Sequence, residues 1–328
     1  MSFIAIFVAL LLEQARPLAR INPIHSILRS WVRWTGRNFD AGRTRHGWLT
    51  WGIAVLTPAV SVTAIYWLLV QTIGWAAAVL WNIVVLYITV GFRQFSHHFT
   101  EIRDALEAGD EERARELLAS WQQVEASGLP KSEIVRQVVE YSVVAAHRHV
   151  FGVLAWFSVF SALGLGPAGA VFYRLGEFVP RYWQHKNEAL LQPVSAASRD
   201  VATGAWRVID WLPARITALA FAVVGSFEEA IESWRNYEQQ EPRDNDGVIL
   251  AATAGAINLR LGSVPIHAGY AEPATPMGDP ADTSGRSGIS PGAEPEVGHL
   301  RTVVGLVWRT VVMWMILLAL LTLARLLG

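Results

Sequence analysis

From Trp48 to Phe92 the sequence contains no Asp, Glu, Lys or Arg, and its two apolar runs, Trp48–Val70 and Ile73–Phe92, are separated only by Gln71 and Thr72. A hydrocarbon core of roughly 30 Å is crossed by about 20 mainly apolar residues in a helix. A chain in that environment must satisfy its own backbone N–H and C=O groups, which a helix does within one segment. The spacing therefore predicts a transmembrane helical hairpin. Val303–Leu327 predicts a final span, with Arg309 and Arg325 near its ends, where guanidinium groups can reach the headgroups. Met1–Leu12 is shorter and ends at Glu13 and Arg16 without a small-residue cleavage site. It reads as an uncleaved N-terminal anchor. Val150–Tyr173 is apolar but broken by Gly164, Gly166, Pro167 and Gly169, which predicts a bent span or two half-helices. Composition agrees, with 52% hydrophobic residues, only 17% charged and 15 Trp. The expected fold class is all-α: a polytopic helical membrane protein with a cytoplasmic helical portion.

Charge sets the expected orientation. Between Gln14 and Gly47 lie seven arginines (Arg16, Arg20, Arg29, Arg33, Arg37, Arg43, Arg45) against the single acid Asp40. The positive-inside bias places residues 14–47 in the cytoplasm. A hairpin returns the chain to the same side, so residues 93–149 are expected there too, in a multi-pass protein of the inner membrane. The lipid bilayer is thus the first expected partner. A net charge of −1 gives no global basic field, and no nucleic-acid partner is expected. The absence of cysteine excludes disulfides, thiol nucleophiles and Cys-ligated metals, and leaves the redox compartment undetermined.

Residues 93–149 carry amphipathic helical spacing. Ala105, Leu106 and Ala108, then Gly109–Asp110, then Ala114, Leu117 and Leu118, make two stretches joined at a turn. A further helix starts near Pro130 and Ser132 and runs through Ile134, Val135, Val138 and Val139. Residues 263–300 are dominated by Gly, Pro, Ala and Ser with no apolar period, which predicts a disordered linker between a domain at 1–262 and the span at 301–328.

Few polar groups stand where chemistry could use them. Arg93, His97 and His98 follow the hairpin, and His147, Arg148 and His149 precede the next apolar run. Contact with lipid headgroups is the leading reading of both groups; a binding site is the alternative. Three consecutive residues face different sides of a helix and cannot share one ion, and the i, i+4 spacing useful for a metal is absent. No metal ligands are assigned. No phosphate loop, GxSxG, HExxH or paired-carboxylate motif is present either, and no catalytic residue is assigned from the residues alone.

Several blocks resemble one family in order along the chain. Trp211, Pro213, Ala214, Arg215, Thr217, Ala218 and Leu219 form a W-x-P-A-R-[IL]-T-A-L core. Arg93, His98, Ala105, Leu106, Gly109, Asp110, Ala114 and Arg115 match R-x-L-x-x-H-A…A-L-x-x-G-D-x-x-x-A-R without a gap. Asn22–Ile27 is similar to an early H-P-V-R motif, with Pro23 in place and Asn22 where His is usual, and Asp246–Gly262 is similar to a late segment ending A-G-A-L…L-G. These blocks resemble the CobD/CbiB family, the membrane-bound adenosylcobinamide-phosphate synthases of cobalamin biosynthesis. The resemblance implies amide formation between adenosylcobyric acid and aminopropanol or its phosphate, with ATP and Mg2+ as cofactors if that activity is retained. It also implies an anionic corrinoid or phosphate-bearing ligand near Arg93, Arg174 and Arg215. On this reading Asp210 and Arg215 open a short, re-entrant helix over about 212–226, whose N-terminus and planar guanidinium suit an anion. An interfacial Asp210–Arg215 pair that seats the helix is an equal alternative.

Two blocks depart from the family pattern. Val139–His149 stands against V-E-S-V-A-E-N-T-S-D-G and keeps Val139 and Glu140, but has Val144 at the next acid and Arg148 at the Asp. Tyr173–Trp183 stands against Y-R-x-x-N-T-L-D-S-M-V-G and keeps Tyr173 and Arg174, with Glu177 for Asn and Pro180 for Asp. Magnesium needs oxygen ligands, and Val144, Arg148 and Pro180 supply no side-chain oxygen. Glu140 and Glu177 are the acids left to compensate. The related AmpE-like inner-membrane proteins share D-W-[VL]-P-x-R-[LI], matched by Asp210, Trp211, Leu212, Pro213 and Arg215, and supply the alternative of a non-catalytic sensor or regulatory protein. The ligand-binding candidates are Arg93, His98, Glu140, Arg174, Glu177, Asp210 and Arg215.

Overall fold

The computed structural model describes residues 2–15, 23–122, 126, 128–188, 194–262 and 292–327. Among them the regular elements are α1 (Ser2–Ala15), α2 (Pro23–Phe39), α3 (Thr44–Thr72), α4 (Trp75–Thr89), α5 (Phe92–Glu107), α6 (Glu111–Gln122) and α7 (Lys131–Ala146). A π turn (His147–Phe151) follows, then α8 (Gly152–Ala162), α9 (Ala168–Glu188), α10 (Ala196–Val224), α11 (Phe227–Gln240), α12 (Asn245–Ile257) and α13 (Val297–Leu327). The protein is an all-α, polytopic helical membrane protein. Among the described residues three helices are long and apolar enough to cross a bilayer: Thr44–Thr72, the run Lys131–Ala162 through α7, the π turn and α8, and Val297–Ala324. Their outward residues are apolar, among them Leu56, Val60 and Leu68 on α3 and Val312, Leu320 and Leu321 on α13.

The chain divides into two compact units. The first is drawn from Met1–Arg93, Arg148–Pro213 and Met315–Gly328. In it α3 and α4 form a helical hairpin closed at Gly74, whose φ of 108° is the left-handed backbone that favours glycine; the second arm, expected over Ile73–Phe92 as a span, is the shorter 15-residue α4. α3 lies against α2, α4 and α9, and α8 lies against α9. That last pair approaches at backbone distance: a Cβ on Gly152 would sit 2.1 Å from the Tyr173 ring, and one on Gly169 would sit 2.0 Å from the Trp156 carbonyl oxygen. Small residues permit such contact where apolar solvent gives no hydrophobic drive.

Proline inside a helix removes the N–H that would serve the carbonyl four residues earlier. Pro58 in α3 orphans the Ala54 carbonyl, and Trp31 Nε1 donates to it at 3.2 Å. Pro213 in α10 orphans the Ile209 carbonyl, and Trp156 Nε1 donates to it at 3.0 Å. The indole of a neighbouring helix thus replaces each lost bond, and both helices run on through the proline. Thr50, Ser61, Thr63 and Thr72 direct their hydroxyls to the carbonyl four residues back, so these four hydroxyls of α3 are satisfied within the helix.

The second unit is drawn from Gln94–His147 and Ala214–Trp314. α5 and α6 bury Phe99, Ile102, Leu106, Ala114 and Leu118 along one face, and turn at Gly109 (φ 79°) with the Asp110 carboxylate accepting from the Arg113 N–H. α7 begins after Pro130, as its spacing predicts. α12 is buried against α11 and α7. Its Gly255 lets the backbone of Glu229 and Ala230 come close, and Asp244 caps its start by accepting from the Gly247 N–H at 3.1 Å.

Of the two forms expected for Val150–Tyr173 the structure has two helices, with Gly164 and Gly166 turning the chain between α8 and α9. Three expectations are corrected. α8 completes an apolar helix that begins at Lys131. The second half of residues 93–149 therefore belongs to that helix. The short helix at 212–226 is the latter part of α10, which has 29 residues, because Trp156 offsets what Pro213 removes. Of the expected linker, residues 263–291 lie outside the described residues, whereas 292–300 are ordered: the Ala293 N–H donates to the Asn258 carbonyl, and α13 starts at Val297.

Candidate functional site

The richest buried polar cluster of the first unit is built on α9. Arg174, Glu177 and Arg181, at i, i+3 and i+7, share one helix face. Glu177 is 1% exposed and is paired with Arg174 Nη1 at 3.3 Å and with the Arg181 guanidinium. Burial pushes its carboxyl up, but Arg181, then Arg174, then Arg148 outweigh it and hold it down to about 2. Glu177 is therefore ionised at neutral pH. Arg174 and Arg181 retain 21% and 36% exposure, so the cluster opens to the surroundings along the guanidinium edge.

The π turn supplies the second wall. Gly152, directly after it, packs on the Tyr173 ring, and Arg148, one turn earlier, lies on the same helix face. The charges of Arg148 and His149 are felt at Glu177. Widened single turns of this kind recur at functional sites because they re-aim side chains. Behind them the buried Tyr173 hydroxyl donates to Asp210 Oδ1 at 2.8 Å, and the Trp206 ring lies 5.1 Å from the Tyr173 ring. His25 of α2 also senses this charge: burial, then Arg174, then Arg29 lower its pKa.

Two guanidinium groups, Arg174 and Arg181, thus pair with the buried Glu177 carboxylate, and the charge of Arg148 is felt there as well. Such an arrangement fits an anion. It does not fit magnesium, because both Glu177 pairings are with guanidiniums and Asp210 Oδ1 accepts from Tyr173. Among the described residues no three His, Asp or Glu side chains converge on one point.

The residues singled out in the sequence divide between the units. Arg174 and Glu177 meet directly, and Asp210 joins them through Tyr173. Glu140 belongs to the second unit, paired with Arg136 at 2.8 Å and accepting the Gly262 N–H at 2.6 Å. Arg215 is also there: it binds Glu238 at 2.6 Å and Asn245, and the expected helix start is corrected, since it sits within α10. Its donor fork is occupied by protein. His98 stacks on Trp121 at 5.7 Å, with Glu101 at 3.6 Å. Arg93 lies in α5, and its side chain is outside the described residues.

Arg148, His149, Tyr173 and Arg181 complete the cluster and were not among the candidates. His147 and Arg148–His149 are not a headgroup fringe: His147 is buried and its Nδ1 lies 2.9 Å from Thr217 Oγ1. The R-x-x-E-x-x-x-R spacing of α9 was the available signal for Arg181.

The CobD/Cbib protein model matches residues 3–290. The chain is 29% identical over 285 residues to a cobalamin biosynthesis protein CobD of Stutzerimonas stutzeri, covering 86% of this chain and 84% of that one. It is 32% identical over 199 residues to the protein of that name from Chromobacterium violaceum, covering 60% of each. With that of Leptospira interrogans it shares 28% over 239 residues, 71% of this chain and 70% of the relative. No solved structure matches. With a family model spanning both units from α1 past α12, the chain belongs to the CobD/CbiB family.

Proposed function

We propose that this cobalamin-biosynthesis family member is an adenosylcobinamide-phosphate synthase-like protein, which joins adenosylcobyric acid to aminopropanol or its phosphate through an amide bond. The observation that carries the reading is the half-open, net-cationic cluster of Arg148, Arg174 and Arg181 around the buried Glu177. One reactant is a carboxylate and the other can carry phosphate, so both present oxyanions to a guanidinium edge. Arg174 and Arg181 hold the anion, Glu177 fixes the two side chains at its rim, and the Tyr173–Asp210 bond sets the floor beneath them. Planar donor forks suit both oxyanion classes. The protein acts in the inner membrane, with the arginine-rich residues 14–47 on the cytoplasmic side, where a soluble substrate is supplied.

A second reading, a non-catalytic AmpE-like sensor on the same scaffold, is favoured by one observation: Val144, Arg148 and Pro180 stand where the resemblance implies acids. Complementation separates the two. Expressed in a strain lacking its own synthase, the chain is expected to restore growth that depends on newly made cobalamin, and Arg174→Ala is expected to abolish rescue. Absence of rescue with the protein present in the membrane moves the weight to the sensor.

A further inference from the structure

The outer face of α2 is cationic and carries no acid. Arg29, Arg33 and Arg37, at i, i+4 and i+8, form one stripe of exposed side chains along it. Among the described residues no carboxylate pairs with any of the three. Arg33 Nε donates to the Tyr182 hydroxyl at 3.2 Å, which seats the stripe on α9 and leaves the two terminal nitrogens of that guanidinium for another acceptor. Asp40, the acid that follows α2, is occupied by Ser195 and Ser198. Arg43 and Arg45, at the entry to α3, are exposed as well.

This face stands where the bilayer begins. Trp31 Nε1 donates to the Ala54 carbonyl of α3, a helix long and apolar enough to cross. Ala54 lies only about 9 Å along that helix from Trp48, where the uncharged run starts. The stripe is therefore level with the headgroup layer. Beside it, Ile27 and Trp34, seven residues apart on α2, are 65% and 47% exposed. The Trp34 ring is held in place by Trp31 at 5.3 Å and Phe39 at 5.4 Å. An apolar shoulder ending in an indole suits the boundary between headgroups and acyl chains. A soluble polyanion has no use for that shoulder, whereas a phospholipid brings phosphate and acyl chain together.

We propose that the Arg29–Arg33–Arg37 face of α2 is a docking site for anionic phospholipid headgroups, with the acyl chains lying against Ile27 and Trp34. Guanidinium forks match phosphate oxygens two at a time. With no carboxylate on the face, a headgroup of net negative charge is preferred over a zwitterionic one, whose own cation opposes the stripe. A cation at this level is worth about fivefold in affinity for an anionic lipid surface. The site does not depend on which reaction the protein performs.

The chain contains no cysteine, so Ser30→Cys, at an exposed position beside the stripe, places a single bimane label there. The test uses this full-length protein in phosphatidylcholine nanodiscs containing a small fraction of either phosphatidylglycerol or phosphatidylcholine carrying a nitroxide on the upper acyl chain, and reads bimane quenching. The expected result is half-quenching at a mole fraction of phosphatidylglycerol at least about fivefold lower than of phosphatidylcholine, with the gap shrinking in 0.5 M salt as screening tightens to about 4 Å. The combined Arg29→Gln, Arg33→Gln and Arg37→Gln variant should lose the preference, and the matching Lys variant should keep most of it. Thermal unfolding checks that each variant is folded. Equal quenching by the two lipids, or a preference unchanged in the folded Gln variant, overturns the proposal. Quenching by neither lipid overturns it too: protection of the bimane from aqueous iodide by pyrophosphate would then assign the face to a soluble polyanion, and disulfide formation between unlabelled Ser30→Cys chains would assign it to a second copy.

Discussion

The bond from Trp156 Nε1 to the Ile209 carbonyl is the local reason that α10 passes straight through Pro213. Replacing Trp156 by Phe removes the donor and leaves that carbonyl buried, since Ile209 is 6% exposed. An orphaned buried acceptor costs about 1–3 kcal/mol, and the smaller ring adds a cavity cost of its own. Replacing Pro213 by Ala restores an N–H four residues after Ile209, which can close the helical bond without Trp156. In that background Trp156→Phe should lose only the cavity part. The coupling energy of the double-mutant cycle isolates the hydrogen bond, because the cavity contribution is common to both backgrounds and cancels. We expect a coupling of about 1–2 kcal/mol. The assay is reversible unfolding in mixed micelles followed by far-ultraviolet circular dichroism. An equal cost of Trp156→Phe in both backgrounds would refute the reasoning.

Arg215→Met should destabilise the second unit by about 2–4 kcal/mol, since the guanidinium is 10% exposed and its removal strands Asn245 and Glu238, whereas Glu238→Gln, at a carboxylate 35% exposed, should cost less. The same unfolding assay checks this, and a Glu238→Gln cost as large as that of Arg215→Met would contradict it. Asp40→Ala should cost about 1–2 kcal/mol, because its carboxylate accepts from the Ser195 N–H and Oγ at 2.7 and 2.6 Å and from Ser198 Oγ at 2.9 Å, fixing the start of α10. An unchanged melting temperature would count against that cap. Acid should weaken the first unit through Glu177: its folded pKa of about 2 lies below its ordinary 4.5, so its contribution is complete above 4.5 and lost as pH falls towards 2. That loss is on the order of 3 kcal/mol. Glu177→Gln should flatten the dependence in that window, and an unaltered acid profile would show that other carboxylates carry it.

What the sequence made legible was local or periodic. The α3–α4 hairpin follows from length and hydropathy, the break at Gly109–Asp110 from turn chemistry, and the start of α7 from Pro130. What it hid depended on partners distant in the chain. Pro213 has the look of a residue opening a helix, and only the indole of Trp156, 53 residues away, keeps it internal. Arg215 read as lying at a helix start, yet it sits inside α10 and its guanidinium finds Glu238 on α11, 23 residues on. Asp40 entered only as the lone acid in an arginine-rich segment; its role depends on Ser195, 155 residues on. At the site, Arg174 and Glu177 were singled out from the family pattern. Arg148 and His149 were assigned to the headgroups because a π turn leaves no mark in apolar periodicity.

The central claim is that the arginine cluster of the first unit holds the oxyanion of a reactant during amide formation. The most direct measurement is product formation by the full-length protein in proteoliposomes, with adenosylcobyric acid and aminopropanol phosphate supplied together with ATP and Mg2+, read as the mass of the amide product. Product from the unaltered chain that falls at least about tenfold in Arg174→Ala, while Arg215→Lys retains it, is the expected result. Equal yields from the unaltered chain and Arg174→Ala, or no product from a folded and inserted protein, would contradict the account.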